Sequence, residues 1–138
     1  FEDNFENYVP GTGLGRLGYV IWGGRAWVLA GDAYEGKQFG QSDMNKQNFA
    51  IRKTFLLEAG KTYKLEIATK MEDGLKHVIQ VYPKEVYGAA WKDCFNANWE
   101  NHMTQFTVTK GNEEVTIALY RWQQKLLSFD SIRLTEVR

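Results

Sequence analysis

The sequence predicts an all-β protein built from two packed antiparallel sheets. Apolar and polar residues alternate in several short runs, so each predicted strand would bury one of its two faces. The clearest run lies in 49–70, where Tyr63, Leu65 and Ile67 follow one another at a period of two. No segment shows a sustained helical period. About eight or nine strands of this kind are predicted, and packing two sheets together is the usual way to bury them.

The longest alternating runs predict two hairpins. A polar break at 58–61 interrupts 49–70, has the length of a hairpin loop and contains a glycine that accepts a positive φ. A second pair of runs, 104–108 and 115–119, flanks a turn at Gly111-Asn112. We therefore expect each pair of runs to form neighbouring strands of one antiparallel sheet.

Shorter segments complete the predicted sheets. Strands are indicated at 19–22, 25–30 and 77–83, and the last of them ends at a proline, which cannot donate to a β-ladder. In the terminal run 126–137 the apolar parity changes at Asp130-Ser131, which predicts a β-bulge because one extra residue re-aims the strand. Residues 84–101 show no clean period and are interpreted as a long loop.

Composition limits the function. The 138 residues are expected to form one domain, and 17 basic residues balance 17 acidic ones. This balance argues against a nucleic-acid partner, which requires clustered basic charge. No apolar run is long enough to cross a bilayer. The single cysteine, Cys94, excludes an internal disulfide and a cysteine-based zinc cluster. Aromatic residues make up 14% of the chain, which favours the use of ring faces in a large core or at a site.

One glycine-rich string matches a nucleotide-binding pattern by letters alone. Residues 13–18, GLGRLG, fit G-x-G-x-x-G. That motif works only between a strand and a helix whose N-terminus meets the pyrophosphate. Here no apolar strand precedes the glycines and a β-rich segment follows them, so we interpret the string as a surface loop.

Several segments, in order along nearly the whole chain, resemble the galactose-binding-domain-like jelly-roll superfamily. More narrowly, they are similar to carbohydrate-binding modules of xylanase and cellulase type and to related surface proteins of Bacteroides-type bacteria. The resemblance is carried by a Phe-Glu element (Phe5-Glu6 or Phe1-Glu2), Gly36-Lys37, Gly60-Lys61-Thr62-Tyr63, Trp99 with Phe106-Thr107, and Phe129-Asp130. It implies a two-sheet jelly roll, but many functions share such a fold.

The resemblance also implies a structural calcium ion that joins the two chain ends. Carried over residue by residue, its ligands would be Glu6, Gly36, Lys37 and Asp130, with Glu2 as the alternative to Glu6. Carboxylate and carbonyl oxygens are the ligands that calcium prefers. The pattern often has two acids in the closing strand, where this chain has Asp130-Ser131. Asp130 in a metal-free bulge is the alternative.

Strand parity indicates a candidate binding surface. If Val115, Ile117 and Leu119 face the core, Tyr120 and Trp122 face outward. A sugar site requires an aromatic plate for the apolar face of a pyranose and polar groups for its hydroxyls. The predicted ligand-binding residues are therefore Trp122, Tyr120, Trp91, Arg121, Lys64 and Glu66. Trp22, Trp27 and Trp99 are expected to be mainly structural.

An enzyme is the competing class. Asp93 and Glu100 flank the long loop and could form a glycosidase pair, but His77 and His102 lie in no catalytic or metal-binding motif. Cys94 has no evident base partner and is expected to be a buried, reduced thiol.

The prediction is therefore a non-catalytic module that binds a polysaccharide or glycan. We expect it to be secreted or on the cell surface, as part of a lipoprotein, a larger parent chain or a surface complex, and associated with the outer membrane or periplasm of a Gram-negative bacterium. A protein-interaction or adhesion domain of the same fold is the alternative.

Overall fold

Two antiparallel sheets pack face to face in the computed structural model, which describes residues 1–83 and 91–138 and only the backbone of Trp91. The described residues form eleven strands and two short 3-10 turns, Leu14–Leu17 and Glu72–Gly74. The strands are β1 (Glu2–Asp3), β2 (Val20–Trp22), β3 (Ala26–Ala30), β4 (Gln38–Ser42), β5 (Phe49–Leu56), β6 (Thr62–Met71), β7 (His77–Tyr82), β8 (Trp91–Cys94), β9 (Glu100–Thr107), β10 (Glu114–Arg121) and β11 (Leu127–Val137). The predicted all-β sandwich is confirmed.

The strands divide into two sheets of similar size. Sheet A has the order β3-β4-β11-β6-β9, with β1 paired to the other end of β11. Sheet B has the order β2-β5-β10-β7-β8. No helix of the described residues has both the length and the hydropathy needed to cross a membrane.

Both predicted hairpins are wrong, although their strands exist. β5 belongs to sheet B and β6 to sheet A, so the segment between them crosses from one sheet to the other. The same holds for β9 in sheet A and β10 in sheet B. A period of two shows that a strand buries one face, but a strand buries one face equally well in either sheet of a sandwich. The alternating pattern therefore predicted the strands and not their partners.

The core lies between the sheets and follows the predicted parity. On β10, Val115, Ile117 and Leu119 are buried, and their partners on the neighbouring strands point inward with them. On β6, the inward residues are Tyr63, Leu65 and Ile67, as expected. Register partners on adjacent antiparallel strands share a face, so this parity also fixes which residues lie on the outer face of each sheet.

The predicted bulge in the last strand is confirmed. The register of β11 against β6 shifts between Asp130 and Arg133, and Ser131 has a φ of 48°. The extra residue lets Phe129 and Ile132, on opposite sequence parities, both reach the core.

Three short strands were missed: β1, β4 and β8. β4 reads QFGQS and β8 reads WKDC, and neither alternates clearly between apolar and polar residues. The predicted long loop at 84–101 thus contains β8 and the start of β9, while its first part, 84–90, lies outside the described residues.

Candidate functional site

Three neighbouring strands of sheet B place aromatic rings on either side of an alanine. Trp22 on β2 pairs in register with Ala50 on β5, and Ala50 pairs with Tyr120 on β10. Tyr120 has the parity opposite to the buried Leu119, so the whole row lies on the outer face. Trp22 is 64% exposed, whereas Ala50 is almost completely buried at the base of the row.

The wall formed by β10 contains more than one ring. The rings of Tyr120 and Trp122 stack with their centroids 6.0 Å apart and their planes inclined by 15°. The Tyr82 hydroxyl hydrogen-bonds to the Tyr120 hydroxyl, and Lys76 Nζ lies 6.0 Å from the centre of the Trp122 ring. Burial, together with the Tyr120 hydroxyl, raises the pKa of Tyr82. The prediction that Tyr120 and Trp122 share the outer face is confirmed, while their binding of a ligand stays a prediction.

These rings line a cleft of about 250 Å³. Since adjacent strands are about 4.8 Å apart, the backbones that carry Trp22 and Tyr120 are separated by roughly 10 Å. A flat ring held between two others at van der Waals contact requires about 7–8 Å. The small side chain of Ala50 leaves this space open, and Asn48 and Gln80 also line the cleft.

The loop that carries Asn48 is held in place by two features. Gly23 has a φ of +75°, and a Cβ at that position would collide with the carbonyl of Asn48. Only glycine accepts both this conformation and this close approach. The second feature is Arg121, whose guanidinium donates hydrogen bonds to four backbone carbonyls, those of Asp43, Lys46, Gln47 and Gln123.

Arg121 lines the cleft near Tyr120 and Trp122, as predicted, but its guanidinium is buried and holds this loop, and its binding of a ligand stays a prediction. Its side chain has 0% exposure, and its guanidinium lies 5.2 Å from the centre of the Phe49 ring. Arg121 has the same inward parity as Leu119. Its charge favoured the opposite interpretation, because a charged residue at the end of a strand is usually interpreted as exposed. Burial lowers its pKa, and nearby Asp43 partly offsets this.

Lys64 and Glu66 are wrongly placed in the predicted site. Both lie on β6 of sheet A, on the outer face of the sandwich opposite the cleft. Lys64 Nζ is 3.9 Å from Glu66 Oε2, and Asn101 of β9 donates a hydrogen bond to Glu66. The error follows directly from the hairpin error, since 49–56 and 62–71 belong to different sheets.

The tryptophans divide differently from the prediction. Trp22, expected to be structural, is the most exposed wall of the cleft, and the signal was present: Tyr19 and Ile21 have the buried parity, which turns Trp22 outward. Trp99 is structural as expected, because its indole N–H donates to the Asp32 carbonyl and its ring packs edge-on against Phe39. The backbone of Trp91 pairs with that of Gln80, and its side chain lies outside the described residues.

The predicted calcium ligands come together at the turn that follows β3. The Glu6 carboxylate accepts backbone hydrogen bonds from Lys37 and Gln38, at 2.8 and 2.7 Å. A Cβ on Gly36 would collide with that carboxylate. Asp130 is fully buried, and its Oδ2 accepts a hydrogen bond from the Glu35 N–H at 3.0 Å. Glu2 is instead paired with Arg133, so Glu6 is the acid that faces this turn.

The donor set at this turn fits calcium. The Glu6 and Asp130 carboxylates that face it supply hard oxygens, the donor type that calcium prefers. Burial raises the pKa of Asp130 to about 6, with further contributions from Glu35 and Glu6, while backbone N–H groups oppose the rise. A bound cation would relieve this crowding of negative charge. Glu35 itself is engaged by Arg133, with Nη2 at 2.7 and 3.0 Å from its two oxygens.

No protein-family model matches the sequence, and neither does any curated protein. Solved structures do match over the whole chain. The CBM22-1 xylan-binding domain of Paenibacillus barcinonensis Xyn10C has a TM-score of 0.73 at 16% identity, covering 100% of this chain and 94% of that one.

Two further structures were solved with a sugar bound. The CBM22-1–GH10 modules of Clostridium thermocellum Xyn10B, complexed with xylohexaose, have a TM-score of 0.72 at 12% identity, covering 100% of this chain and 28% of that one. TmCBM61 in complex with β-1,4-galactotriose has a TM-score of 0.65 at 17% identity, covering 97% and 99%. At these identities the likeness shows the fold alone: this protein has a two-sheet β-sandwich of the kind found in these carbohydrate-binding modules.

Proposed function

We propose that the protein is a non-catalytic carbohydrate-binding module that holds a polysaccharide or glycan in the cleft of sheet B. The observation that carries this proposal is the row formed by Trp22, Ala50 and Tyr120. Two ring-bearing walls about 10 Å apart over an alanine floor have room for one pyranose, whose apolar C–H faces would contact the rings. Asn48 and Gln80 line the same space, and their side-chain amides would bond its hydroxyls.

The residues of the cleft support binding rather than hydrolysis. A glycosidase requires two carboxyl groups about 5–9.5 Å apart across the scissile bond. The described residues that line the cleft include neither aspartate nor glutamate. The pair considered from the sequence, Asp93 and Glu100, is divided between β8 of sheet B and β9 of sheet A.

A β-1,4-linked polysaccharide is the first ligand to test, since similar folds were solved with xylohexaose and with β-1,4-galactotriose. A glycan array that includes both sugars would identify the ligand class, and calorimetric titration would give its affinity. A silent array combined with capture of a defined protein partner would favour the adhesion alternative instead.

Trp22→Ala is the decisive variant for this proposal. Removing an aromatic anchor from a binding site costs about 2 kcal/mol or more, which is roughly a 30-fold loss of affinity for the array ligand. Because the ring is largely exposed, we expect the free energy of unfolding to change by less than about 1 kcal/mol. Trp27→Ala, a tryptophan on sheet A, is the matched control and should keep full affinity. Full affinity in Trp22→Ala would contradict the proposed site.

Calcium is proposed as a structural ion held by Glu6 and Asp130 with carbonyls of the Gly36-Lys37 turn. When bound, it would neutralise the carboxylates and connect β11 to the N-terminal segment. A ligand that binds only the native state stabilises it by mass action, by about 2.7 kcal/mol at 100 times its Kd. Chelation should therefore lower the melting temperature of the protein, and Asp130→Ala should no longer respond to chelation. An identical melting curve with and without chelator would contradict this proposal.

We also propose that the module acts outside the cytoplasm, secreted or on the cell surface, within a larger chain or surface complex. The Clostridium thermocellum structure supports this arrangement by analogy, because there the similar fold accompanies a GH10 module in one chain. Localisation of the tagged full-length protein by cell fractionation would test it.

A further inference from the structure

Both histidines and the only cysteine of the chain meet at one place in the core. His77 begins β7 and Cys94 ends β8, and these two residues are register partners in sheet B. His102 lies on β9, in sheet A. All three residues are buried, and one ligating atom from each lies within 4.8 Å of the other two. Their sequence spacing gives no metal-binding motif, so only the packing of the two sheets brings them together.

Hydrogen bonds fix the tautomer of His77. Its Nδ1 lies 3.2 Å from the Leu75 carbonyl, which can only accept, so Nδ1 carries the proton. Nε2 therefore presents a lone pair, which accepts the Thr69 hydroxyl at 2.7 Å. Burial lowers the pKa of His77, which favours this neutral form.

The tautomer of His102 is fixed through Asn96. The Asn96 side-chain N–H₂ donates to the carbonyls of Thr69 and Asn98, so its Oδ1 is the atom that faces His102 Nε2 at 3.0 Å. Nε2 is thus the donor and Nδ1 carries the lone pair. His102 is only 4% exposed, and its Nδ1 is buried. This Nδ1 has no hydrogen-bond partner among the described residues. A buried acceptor left without a partner is unfavourable, and a bound ion would satisfy it.

This arrangement is the one that metal-binding histidines require. Such residues donate one ring N–H to a carbonyl or amide oxygen and keep the other nitrogen free for the ion. The two imidazoles here are oriented in this way by Leu75 and Asn96. The third group, Cys94, is a thiol in the metal-free protein, because burial raises its pKa to about 11.

We propose that His77, Cys94 and His102 form a binding site for Zn²⁺ or a similar borderline-soft ion, which links the two sheets. Imidazole nitrogen and thiolate sulfur are preferred zinc ligands, and three protein ligands leave a fourth position for water or another oxygen donor. Glu100 lies on the same strand as His102 and reaches solvent. Its carboxylate acts electrostatically on all three groups, and it balances the positive charge that remains after the thiolate has bound.

Closing the site requires a small movement. Zn–N and Zn–S bonds of about 2.0–2.3 Å place tetrahedral ligands roughly 3.4–3.6 Å apart, so the widest separation of 4.8 Å would shrink by about 1 Å. His77 exchanges the Thr69 hydroxyl for the ion, and Cys94 loses its proton to solvent as the metal–sulfur bond forms. One proton is therefore released for each ion bound at neutral pH.

The site can be tested on the wild-type protein stripped of metal. Addition of Co²⁺ should produce the sulfur-to-metal charge-transfer absorption of a thiolate complex, which in this chain can come only from Cys94. One equivalent of Zn²⁺ should remove that absorption, release one proton, raise the melting temperature and slow the labelling of Cys94 by a thiol reagent. Absence of the cobalt absorption, together with unchanged melting in Zn²⁺, would overturn the proposal without recourse to any variant.

Variants then separate this site from the calcium site. Cys94→Ser should abolish the cobalt charge-transfer absorption, and His102→Gln should weaken Zn²⁺ binding at least 10-fold. Glu6→Gln, at the other candidate site, is the matched control and should bind Zn²⁺ as the wild type does. Equal Zn²⁺ affinity in all of these proteins would place the ion elsewhere and contradict the assignment. Because neither the cobalt spectrum nor proton release depends on sugar, failure here leaves the proposed carbohydrate function untouched.

Discussion

The outer faces of the two antiparallel sheets differ in their chemistry. Sheet B presents Trp22 and Tyr120 across the small Ala50, which produces a cleft with apolar walls. The corresponding face of sheet A presents Lys64 beside Glu66, and a hydroxyl pair between β6 and β9 further along. Sheet A also has a pocket, of about 240 Å³, but no aromatic residue among those described lines it, whereas rings form the walls of the sheet B cleft.

The difference shows what a binding face requires beyond exposure. On sheet A, Lys64 and Glu66 partly neutralise each other and remain hydrated, so they offer little surface that gains from leaving water. On sheet B an exposed tryptophan stands next to a residue too small to fill the space beside it, and apolar area is available to a ligand. Three substitutions can break or sharpen this contrast, from the largest expected effect to the smallest.

Arg121→Met should have the largest effect, because it removes the support beneath the cleft. The guanidinium donates hydrogen bonds to three carbonyls within 43–47 and to the carbonyl of Gln123. Hydrogen bonds to a charged group contribute about 1.5–3 kcal/mol each. We expect the free energy of unfolding to fall by at least about 3 kcal/mol, measured by urea denaturation. Arg16→Met, at an exposed arginine, is the control and should change stability by less than about 0.5 kcal/mol. Equal effects of the two substitutions would show that the buried arginine does not hold this loop.

Trp122→Ala should separate binding from stability. The ring stacks on Tyr120 and is half-buried, and an aromatic pair contributes about 0.5–1.5 kcal/mol. We expect a loss of about 1 kcal/mol in stability and at least a 10-fold loss of affinity for the array ligand, measured by thermal melting and calorimetry. A stability loss of about 3–5 kcal/mol, typical of a core aromatic, would show that the ring is structural.

Lys64→Ala should have almost no effect. Its ion pair with Glu66 is long and partly exposed, and such surface pairs contribute about 0–1 kcal/mol. The sugar affinity should be unchanged, because the residue lies on the opposite face of the sandwich. A clear loss of affinity would mean that ligands bind sheet A as well, and the contrast between the faces would fail.

Local spacing predicted the inward residues of the alternating strands, but not how the strands pair. The inward positions of Val115, Ile117 and Leu119 and the bulge at Asp130 follow from local spacing, which short-range sterics and burial impose on every strand. β5 pairs with β2 and with β10, which lies more than fifty residues later, and no short-range signal selects β10 over β6. Short strands such as β8 were not predicted, because four residues are too few to show a clear alternation of apolar and polar side chains.

The same limit explains the mixed result for the candidate site. Tyr120 and Trp122 were placed on one face because two residues of one strand share a parity. Lys64 and Glu66 were added to that face only through the assumed hairpin, and they lie on the other sheet. The proposed zinc site could not be predicted from the sequence for a related reason. Its three ligands come from three strands in two sheets, and only the tertiary structure brings them together.

The two walls of the cleft have unequal mechanical support. Tyr120 lies on a strand flanked by β5 and β7, whereas Trp22 lies on a three-residue strand which, among the described strands, pairs with β5 alone. Changes in this short edge strand can alter the gap between the walls without repacking the interior of the sandwich. For the proposed sugar ligand, the residues around Trp22 are therefore the positions at which ligand preference should be altered with the least effect on the fold.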